Sequence, residues 1–260
     1  MQPNTSKQIK YTILGSGTSS GVPVIGCKCA TCRSIDPHDK RLRASLLIQS
    51  DNTNIIIDTT PDFRMQMLQN EIDHLDAIFF THPHFDHIGG FDDIRALNFA
   101  MHREIQVYLN QYTLDNLHKS FYYAFEVPEQ MGGGVPLCTH HLITDDPIEI
   151  NGLVFTPINM FHGRIPDLGY RIGNFAYLTD TNFIPESEYP KLQNLDFLVI
   201  DGLRPRPHPT HFSFDEAIAQ ANSFNPKRII LTHLTHDVKH SEADLPDGVE
   251  LAYDGMQFRV

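Results

Sequence analysis

The sequence predicts an α/β protein in which two packed β-sheets are flanked by helices. Apolar strands occur in two sets along the chain, helical segments separate them, and polar residues follow several strand ends. Such elements bury their apolar faces against one another in layers. With 41% hydrophobic and 20% charged residues, the 260-residue chain supports a sizeable core, and no linker or strong internal repeat divides it. We therefore expect one domain over residues 1–260.

In the first half, apolar runs and period-two alternation predict the strands. The expected strands are residues 9–14, 44–49, 54–58, 77–81 and 105–109, and the expected helices are residues 61–69, 91–101 and 113–125. Pro61 suits a first helical turn, where a missing N–H needs no partner. Residues 126–140 contain Gly132-Gly133-Gly134 and are predicted to be a long irregular segment, either a mobile lid or a plain connection.

The second half repeats this pattern. The expected strands are residues 148–150, 153–158, 168–172, 175–179, 197–200, 228–232, 251–253 and 256–260. The dipeptide Asn151-Gly152 favours a tight hairpin between the first two. A helix over residues 213–224 opens with the capping box formed by Ser213 and Glu216.

The run His82-Pro83-His84-Phe85-Asp86-His87 follows a predicted buried strand. Side chains alternate sides along an extended segment, so His82 and His84 point the same way and can share one cation. A turn just after them would aim Asp86 and His87 at a second cation. A polar surface loop is the alternative, but clustered imidazoles with a carboxylate are typical of a metal site.

Further polar residues stand just past apolar strands, where open α/β architectures place their sites. They are Asp58, His162, Asp180, Asp201 and His233. A dinuclear centre needs roughly six to eight ligands, including a bridging carboxylate. The available set predicts His82, His84 and His162 on one metal; Asp86, His87 and His233 on the other; and Asp180 as the bridge. Zinc and manganese both suit these ligands.

Three of the four cysteines lie close together, at Cys27, Cys29 and Cys32, whereas Cys138 is remote and is predicted to be a lone thiol in a loop. A disulfide needs Cα atoms about 4.4–6.8 Å apart with suitable Cβ directions, which a tight cluster rarely offers. The spacing instead suits a structural zinc in a loop near residues 26–33, with a fourth ligand from elsewhere. His236 and His240 are the candidates for that ligand, and reduced thiols without a metal are the alternative.

In order and spacing, the histidine run, His162, Leu178-Thr179-Asp180 and Leu231-Thr232-His233 resemble the metal motifs of metallo-β-lactamase-fold hydrolases. This resemblance covers nearly the whole chain and implies an αββα sandwich of two mixed sheets. It also implies that Asp58 supports the ligand loop from behind the metal-binding side chains. Two divalent cations in such a centre lower the pKa of a shared water toward ~7, which supplies hydroxide at neutral pH.

A narrower resemblance rests on Gly26-Cys27-x-Cys29-x-x-Cys32 together with Thr232-His233-x-x-His236. These motifs are similar to those of the branch that contains the phosphoribosyl 1,2-cyclic phosphate phosphodiesterase of phosphonate breakdown. That branch implies a structural zinc on Cys27, Cys29, Cys32 and His236. It also implies an active-site histidine at Pro209-Thr210-His211.

These observations predict a phosphodiesterase that hydrolyses a small cyclic or nucleotide-like phosphodiester. His211 is expected to protonate the leaving group, and Asp86 is assigned to catalysis as well as to the metal. Arg204, Arg206 and His208 lie on the same proline-rich loop, where Arg204 and His208 are candidates for substrate contacts. The alternatives are an RNA-processing nuclease of the same fold and a non-hydrolytic metal-binding biosynthetic protein.

The whole chain limits the partners. A net charge of −12 argues against an extended nucleic-acid surface, which normally needs a basic stripe. No apolar run approaches the ~20 residues of a membrane helix, and the N-terminus lacks a signal-peptide pattern. We therefore expect a cytoplasmic protein with a small phosphodiester substrate and no membrane partner, and a homodimer is left open.

Overall fold

In a computed structural model, residues 8–126 and 134–260 are described. Their strands are β1 (Lys10–Gly15), β2 (Ser45–Ser50), β3 (Thr53–Ile57), β4 (Ala77–Phe79), β5 (Ile105–Leu109), β6 (Cys138–Leu142), β7 (Ile148–Ile150), β8 (Leu153–His162), β9 (Ile165–Ile172), β10 (Phe175–Leu178), β11 (Phe197–Asp201), β12 (Arg228–Thr232), β13 (Val249–Leu251) and β14 (Gln257–Arg259).

The α-helices of these residues are short. They are α1 (Ala30–Arg33), α2 (Phe63–Gln69), α3 (Phe85–Ile88), α4 (Ile94–Met101), α5 (Gln111–Ser120) and α6 (Phe214–Asn222). Single 3₁₀ segments occur at Pro37–Asp39, Phe91–Asp93, Tyr122–Ala124, Glu186–Leu192 and His240–Glu242. Among the described residues, no helix combines the length and the apolar character needed to cross a membrane.

The strands form two seven-stranded mixed sheets with matching layouts. The first has the order β14-β1-β2-β3-β4-β5-β6, and the second has the order β13-β12-β11-β10-β9-β8-β7. In the first sheet, β14, β1, β2 and β3 pair antiparallel, whereas β3, β4, β5 and β6 pair parallel. In the second, β7 to β10 pair antiparallel and β10 to β13 pair parallel.

Three apolar layers hold the sandwich together. Between the sheets, aromatic rings stack face to face, with centroids 4.0 Å apart for Tyr11 and Phe175 and 4.2 Å apart for Phe79 and Phe155. On the outer face of the first sheet, α2, α4 and α5 contribute side chains such as Phe63 to a second cluster. Helix α6 packs on the outer face of the second sheet in a third. The predicted two-sheet sandwich flanked by helices is therefore confirmed.

Close backbone approach explains the glycine that ends β1. A Cβ on Gly15 would lie 2.0 Å from the carbonyl oxygen of Arg43, so only glycine fits there. The chain then turns, and Gly17 forms isolated bridges with both Arg43 and Leu234. The glycine-rich loop thus joins an element of the first sheet to the segment after β12 of the second.

Several predicted boundaries were wrong. The strand expected to end at residue 158 continues to His162, and its partner β9 begins at Ile165 rather than at residue 168, so the two form one long hairpin. Helix α2 begins at Phe63, because Pro61 lies in the preceding turn, where the Asp62 N–H donates to the Thr60 hydroxyl. The capping box of α6 is present as predicted.

The segment predicted to be irregular also needs correction. Cys138 lies in the edge strand β6, parallel to β5, and not in a loop. Of the lid or connection expected over residues 126–140, residues 127–133 lie outside the described residues. Those alternatives therefore stay open.

Candidate metal centre and active site

The histidine run connects β4 to α3 at the ends of the parallel strands. His82 and His84 lie before the helix, and His162 ends β8 of the other sheet. Each of these three side chains offers a ring nitrogen, and the three nitrogens lie within 4.8 Å of one another. The long hairpin is what brings His162 there, since β8 continues well past its predicted end.

A second group adjoins the first. It contains Asp86 and His87 from α3, Asp180 after β10 and His233 after β12, with ligand atoms also within 4.8 Å of one another. The Asp180 Oδ2 atom lies 3.1 Å from His233 Nε2, 3.3 Å from His87 Nε2 and 3.8 Å from His82 Nε2. Asp180 is therefore the side chain that touches both groups.

These donors suit divalent cations. The Nε2 atoms of His82, His87 and His233 are buried and make no well-aligned hydrogen bond to any described residue. A buried polar atom without a partner costs roughly 1–3 kcal/mol. Three such nitrogens turned toward shared carboxylates form a set that a cation would satisfy, because neutral imidazole and carboxylate are ordinary metal ligands.

The outer nitrogens of the same imidazoles are fixed. The His87 Nδ1 atom lies 2.7 Å from Asp58 Oδ2, and Asp58 also accepts hydrogen bonds from the backbone N–H and the hydroxyl of Thr81. His162 Nδ1 donates to the Thr210 carbonyl at 2.7 Å. Each bond leaves Nε2 free to face the centre. Asp58 therefore lies behind the histidine run that the resemblance assigns to the metals.

Charge in the centre is set by opposing effects. Burial raises the pKa of Asp180, but His233 and His87 outweigh it and hold that pKa well below its usual range. Burial likewise raises the pKa of Asp86, and His87 and His233 again lower it. Both carboxyl groups therefore stay ionised as hard oxygen ligands.

Three of these positions adopt an unusual backbone conformation. Asp58, Asp180 and His233 have φ angles of 67°, 52° and 61°. The left-handed region is uncommon for residues with a Cβ, although Asp, Asn and His tolerate it better than most. Such conformations persist where the surrounding structure enforces them, and they cluster at functional sites.

His211 borders both groups. Its ring lies 4.8 Å from the His233 ring at an angle of 15° and 4.4 Å from the His162 ring. Its Nδ1 atom lies 2.7 Å from Asp201 Oδ2. Burial lowers the pKa of His211, but the Asp201 carboxylate more than compensates and raises it to about 9. The imidazole is therefore held protonated beside the centre.

The cysteine cluster lies apart from these groups. The Sγ atoms of Cys27, Cys29 and Cys32 lie 3.3, 3.5 and 3.7 Å from His236 Nδ1. The Cys32 N–H, which donates to the Cys29 thiolate, is the main reason why the pKa of Cys29 falls to about 6. A thiolate is the metal-binding form of cysteine. His240, the other candidate for the fourth ligand, instead packs against His38.

The candidate substrate residues lie beside His211. Arg204 and His208 both line a cavity of about 270 Å³ that His211 also borders. Arg206 is 70% exposed and forms an ion pair with Asp237 at 2.6 Å. The structure thus brings Arg204 and His208 to the site and leaves Arg206 at its edge.

Sequence reasoning missed two contacts. Asp201 was noted as a strand-end residue, but its role in holding His211 was not predicted, although its position after an apolar strand gave a signal. Asp167 was missed entirely. It is fully buried inside β9 with Oδ1 3.7 Å from His82 Nδ1, and burial together with Asp180 raises its pKa well above the usual value. A single Asp just before a predicted strand carries no local signal for this contact.

Comparisons with known proteins agree with this architecture. The sequence profile described as "Beta-lactamase superfamily domain" matches residues 53–234. The chain is 42% identical over 256 residues to an octanoyltransferase of Porphyromonas gingivalis (strain ATCC BAA-308 / W83). The aligned region covers 96% of this chain and 51% of that protein. The chain therefore spans about half the length of this curated relative, whose name describes the whole protein.

Two solved structures are similar along their whole length. A diphosphatase from the PhnP family superposes with a TM-score of 0.89 at 41% identity, over 96% of this chain and 97% of that chain. Zn²⁺-bound PqqB from Methylobacterium extorquens superposes with a TM-score of 0.78 at 17% identity, over 96% and 99%, which shows a shared fold. Divalent metal ions are the cofactors that this fold indicates. The chain belongs to the beta-lactamase superfamily, in the PhnP-like branch.

Proposed function

We propose that this protein is a metal-dependent hydrolase, a phosphodiesterase that cleaves a small cyclic or nucleotide-like phosphodiester at a dinuclear metal centre. One observation carries the proposal. Two donor groups share Asp180 and draw on both sheets, with the protonated imidazole of His211 directly beside them.

The proposed ligands follow the two groups. His82, His84 and His162 would hold one cation, Asp86, His87 and His233 the other, and Asp180 both. Zinc and manganese both suit this set. When bound, the pair supplies Lewis acidity that activates water at neutral pH and offsets negative charge on the phosphoryl oxygens. A separate zinc on Cys27, Cys29, Cys32 and His236 would be structural.

Two side chains of the protein would then act directly in the reaction: one transfers a proton and the other orients the water. His211, held through Nδ1 by Asp201, presents its Nε2–H to the departing alkoxide and protonates it. Asp86 keeps its charge and orients the attacking water by accepting a hydrogen bond from it. The PhnP-family diphosphatase, whose chain matches this one nearly end to end, supports hydrolysis at phosphorus as the reaction class.

The two alternatives have less support. A net charge of −12 disfavours an RNA-gripping surface, and a biosynthetic protein without hydrolytic activity has no need for His211 to be held protonated by Asp201. The cysteine cluster fits a reducing compartment, and the cytoplasm is the location that we propose.

The test is hydrolysis of bis(p-nitrophenyl) phosphate by protein loaded with zinc or manganese. We expect metal-dependent release of p-nitrophenol. His84→Ala should lower turnover by more than about 100-fold, because loss of a metal ligand should lower activity more than loss of a residue that only supports a ligand. His74→Ala is the matched control, because His74 bonds to Asp73 in a surface segment. Unchanged turnover in His84→Ala would argue against the centre. A screen of cyclic phosphates, diphosphates, dinucleotides and short RNA then identifies the substrate.

A further inference from the structure

The cavity beside His211 is lined by loops from three parts of the chain, and Thr235, His236 and Asp237 of the segment after β12 form one of them. On one side is the turn at Ser19 and Ser20 in the glycine-rich loop after β1, and on the other is the loop after β11 with Arg204 and His208. Because His211 borders both this cavity and the donor groups, whatever occupies the cavity lies next to the reacting bond. We refer to it as the side cavity.

The serine turn presents free hydrogen-bond donors to the side cavity. Both serines are exposed, and within residues 8–126 and 134–260 neither their backbone N–H groups nor the Ser19 hydroxyl has a hydrogen-bond acceptor. The turn itself is fixed, since the Gly21 N–H donates to the Thr18 carbonyl at 2.8 Å and Arg43 Nε donates to the Ser19 carbonyl at 3.2 Å. Successive free N–H groups in a fixed turn form a concave site that binds anions.

The opposite wall is cationic. Arg204 has a buried Nε with no hydrogen-bond acceptor among the described residues, and its Nη1 lies 3.5 Å from Asp237 Oδ2. Asp237 also lines the side cavity and would repel an anion, but Arg206 approaches the same oxygen to 2.6 Å and neutralises it. Two guanidinium groups therefore face one carboxylate, which leaves a net positive charge and an unused Arg204 donor.

His208 adds a neutral donor. The Thr210 N–H donates to His208 Nδ1 at 3.4 Å, so the proton of the neutral imidazole is on Nε2. The His208 ring lies 5.1 Å from the His211 ring, within the same wall.

We propose that the Ser19–Ser20 turn, Arg204 and His208 form an oxyanion subsite that holds the part of the substrate that is not cleaved. The inference rests on the proposed phosphodiesterase function and extends it to substrate selection. Substrates with a second anionic group, such as a terminal phosphate, would be held with one end in the side cavity and the scissile phosphoryl group at the metals.

A pair of ligands that differ by one phosphate tests the subsite without turnover. Calorimetric titration of the metal-loaded protein with adenosine 3′-phosphate and with adenosine 3′,5′-bisphosphate measures what the second phosphate contributes. We expect the bisphosphate to bind at least about tenfold more tightly to the wild type, which corresponds to about 1.4 kcal/mol. Equal affinity for the two ligands would overturn the inference.

Variants assign that difference to the subsite. Arg204→Gln removes the cationic donor, and Ser20→Glu places a negative charge on the exposed turn, where it does not disturb packing. Both should reduce the preference for the bisphosphate to less than about threefold, whereas the exposed control Arg64→Gln should keep it. A preference retained in both Arg204→Gln and Ser20→Glu contradicts the assignment.

Turnover separates this inference from the proposed function. Wild-type protein that shows the bisphosphate preference but cleaves no phosphodiester refutes the phosphodiesterase function and keeps the anion subsite. Protein that cleaves bis(p-nitrophenyl) phosphate but binds both adenosine ligands equally refutes the subsite and keeps the phosphodiesterase.

Discussion

At the scale of single residues, the centre depends on what holds each imidazole from behind. Asp58 fixes His87, the Thr210 carbonyl fixes His162, and Asp201 fixes His211, each at 2.7 Å. These bonds select the ring tautomer and orientation before any ligand arrives. Asp58 and Asp201 should therefore influence the chemistry without contacting the substrate.

Asp58→Asn should weaken metal binding by about 10- to 100-fold, the usual effect of removing a charged supporting contact. Asparagine tolerates the φ of 67° at this position, so the backbone is preserved. The dependence of turnover on metal concentration checks this. Asp51→Asn is the matched control, since Asp51 also has a positive φ but lies in the β2–β3 turn. If Asp58→Asn and Asp51→Asn reach half-maximal turnover at the same metal concentration, Asp58 has no supporting role.

Asp201→Asn should shift the pH dependence of kcat/KM. The Asp201 carboxylate raises the pKa of His211 to about 9 against the effect of burial, so its removal lowers that pKa. The imidazole then loses its proton at lower pH, and the alkaline limb of the profile should move down by about one to three pH units. Asp196→Asn, just before the start of β11, serves as the control. An unmoved alkaline limb would exclude His211 as the acid.

At the scale of elements, the segment after β12 is fixed from two sides. The fully buried guanidinium of Arg41 donates through Nη1 to the carbonyls of Thr235 and Val238, at 3.1 and 2.8 Å. Between those carbonyls, His236 contacts the three cysteines. The same segment begins at His233, so the cysteine loop and Arg41 help to position a residue of the centre.

Cys29→Ser should abolish binding of the proposed structural zinc and lower the melting temperature before it lowers turnover. The cysteines contact the His236 segment and not the donor groups, so the chemistry is affected only indirectly. Zinc retained after mild chelation, together with thermal unfolding, checks this prediction. Cys138→Ser in β6 should keep the zinc. If Cys29→Ser also keeps it, the cluster is a set of reduced thiols.

Arg41→Leu should lower the free energy of unfolding by about 3–5 kcal/mol, because it leaves the buried Asp39 carboxylate without its cationic partner. Urea denaturation measures the loss. The double variant Asp39→Leu with Arg41→Leu should recover part of it, since no charge is then left buried alone. A loss below about 1 kcal/mol for Arg41→Leu, the level of an exposed ion pair, would show that the contact is not structural.

Strands and helices could be predicted from the sequence where a local pattern of apolar residues indicated burial. They were missed or misplaced where no such pattern is present. The apolar strands were found, but Pro166 lies inside β9 and hid the start of that strand, because proline usually interrupts strands. Edge strand β6 is mostly exposed and shows no alternation. The four-residue helix α3 is too short for a helical period. The contact of Asp167 with His82 joins residues far apart in the chain, which no local pattern reveals.

At the scale of the whole molecule, the centre exists only where the two sheets meet. His82, His84, Asp86 and His87 come from the first sheet's side. In the second sheet, His162 ends a strand, and Asp180 and His233 follow two others. The two sheets share one layout, with antiparallel strands followed by parallel ones, and both contribute residues near the ends of strands. The chain order of the motifs could be read from sequence, but this matching layout could not.

The central claim is that seven side chains hold a pair of cations that activates water. Elemental analysis of wild type and Asp180→Asn, joined to bis(p-nitrophenyl) phosphate turnover, tests it most directly. Asparagine keeps the left-handed backbone at residue 180 but removes the charge shared by both groups. We predict one chelation-resistant zinc and two exchangeable divalent ions per wild-type chain, and loss of the exchangeable ions and of turnover in Asp180→Asn. Full turnover in Asp180→Asn, or in wild-type protein stripped of exchangeable metal, would contradict the account.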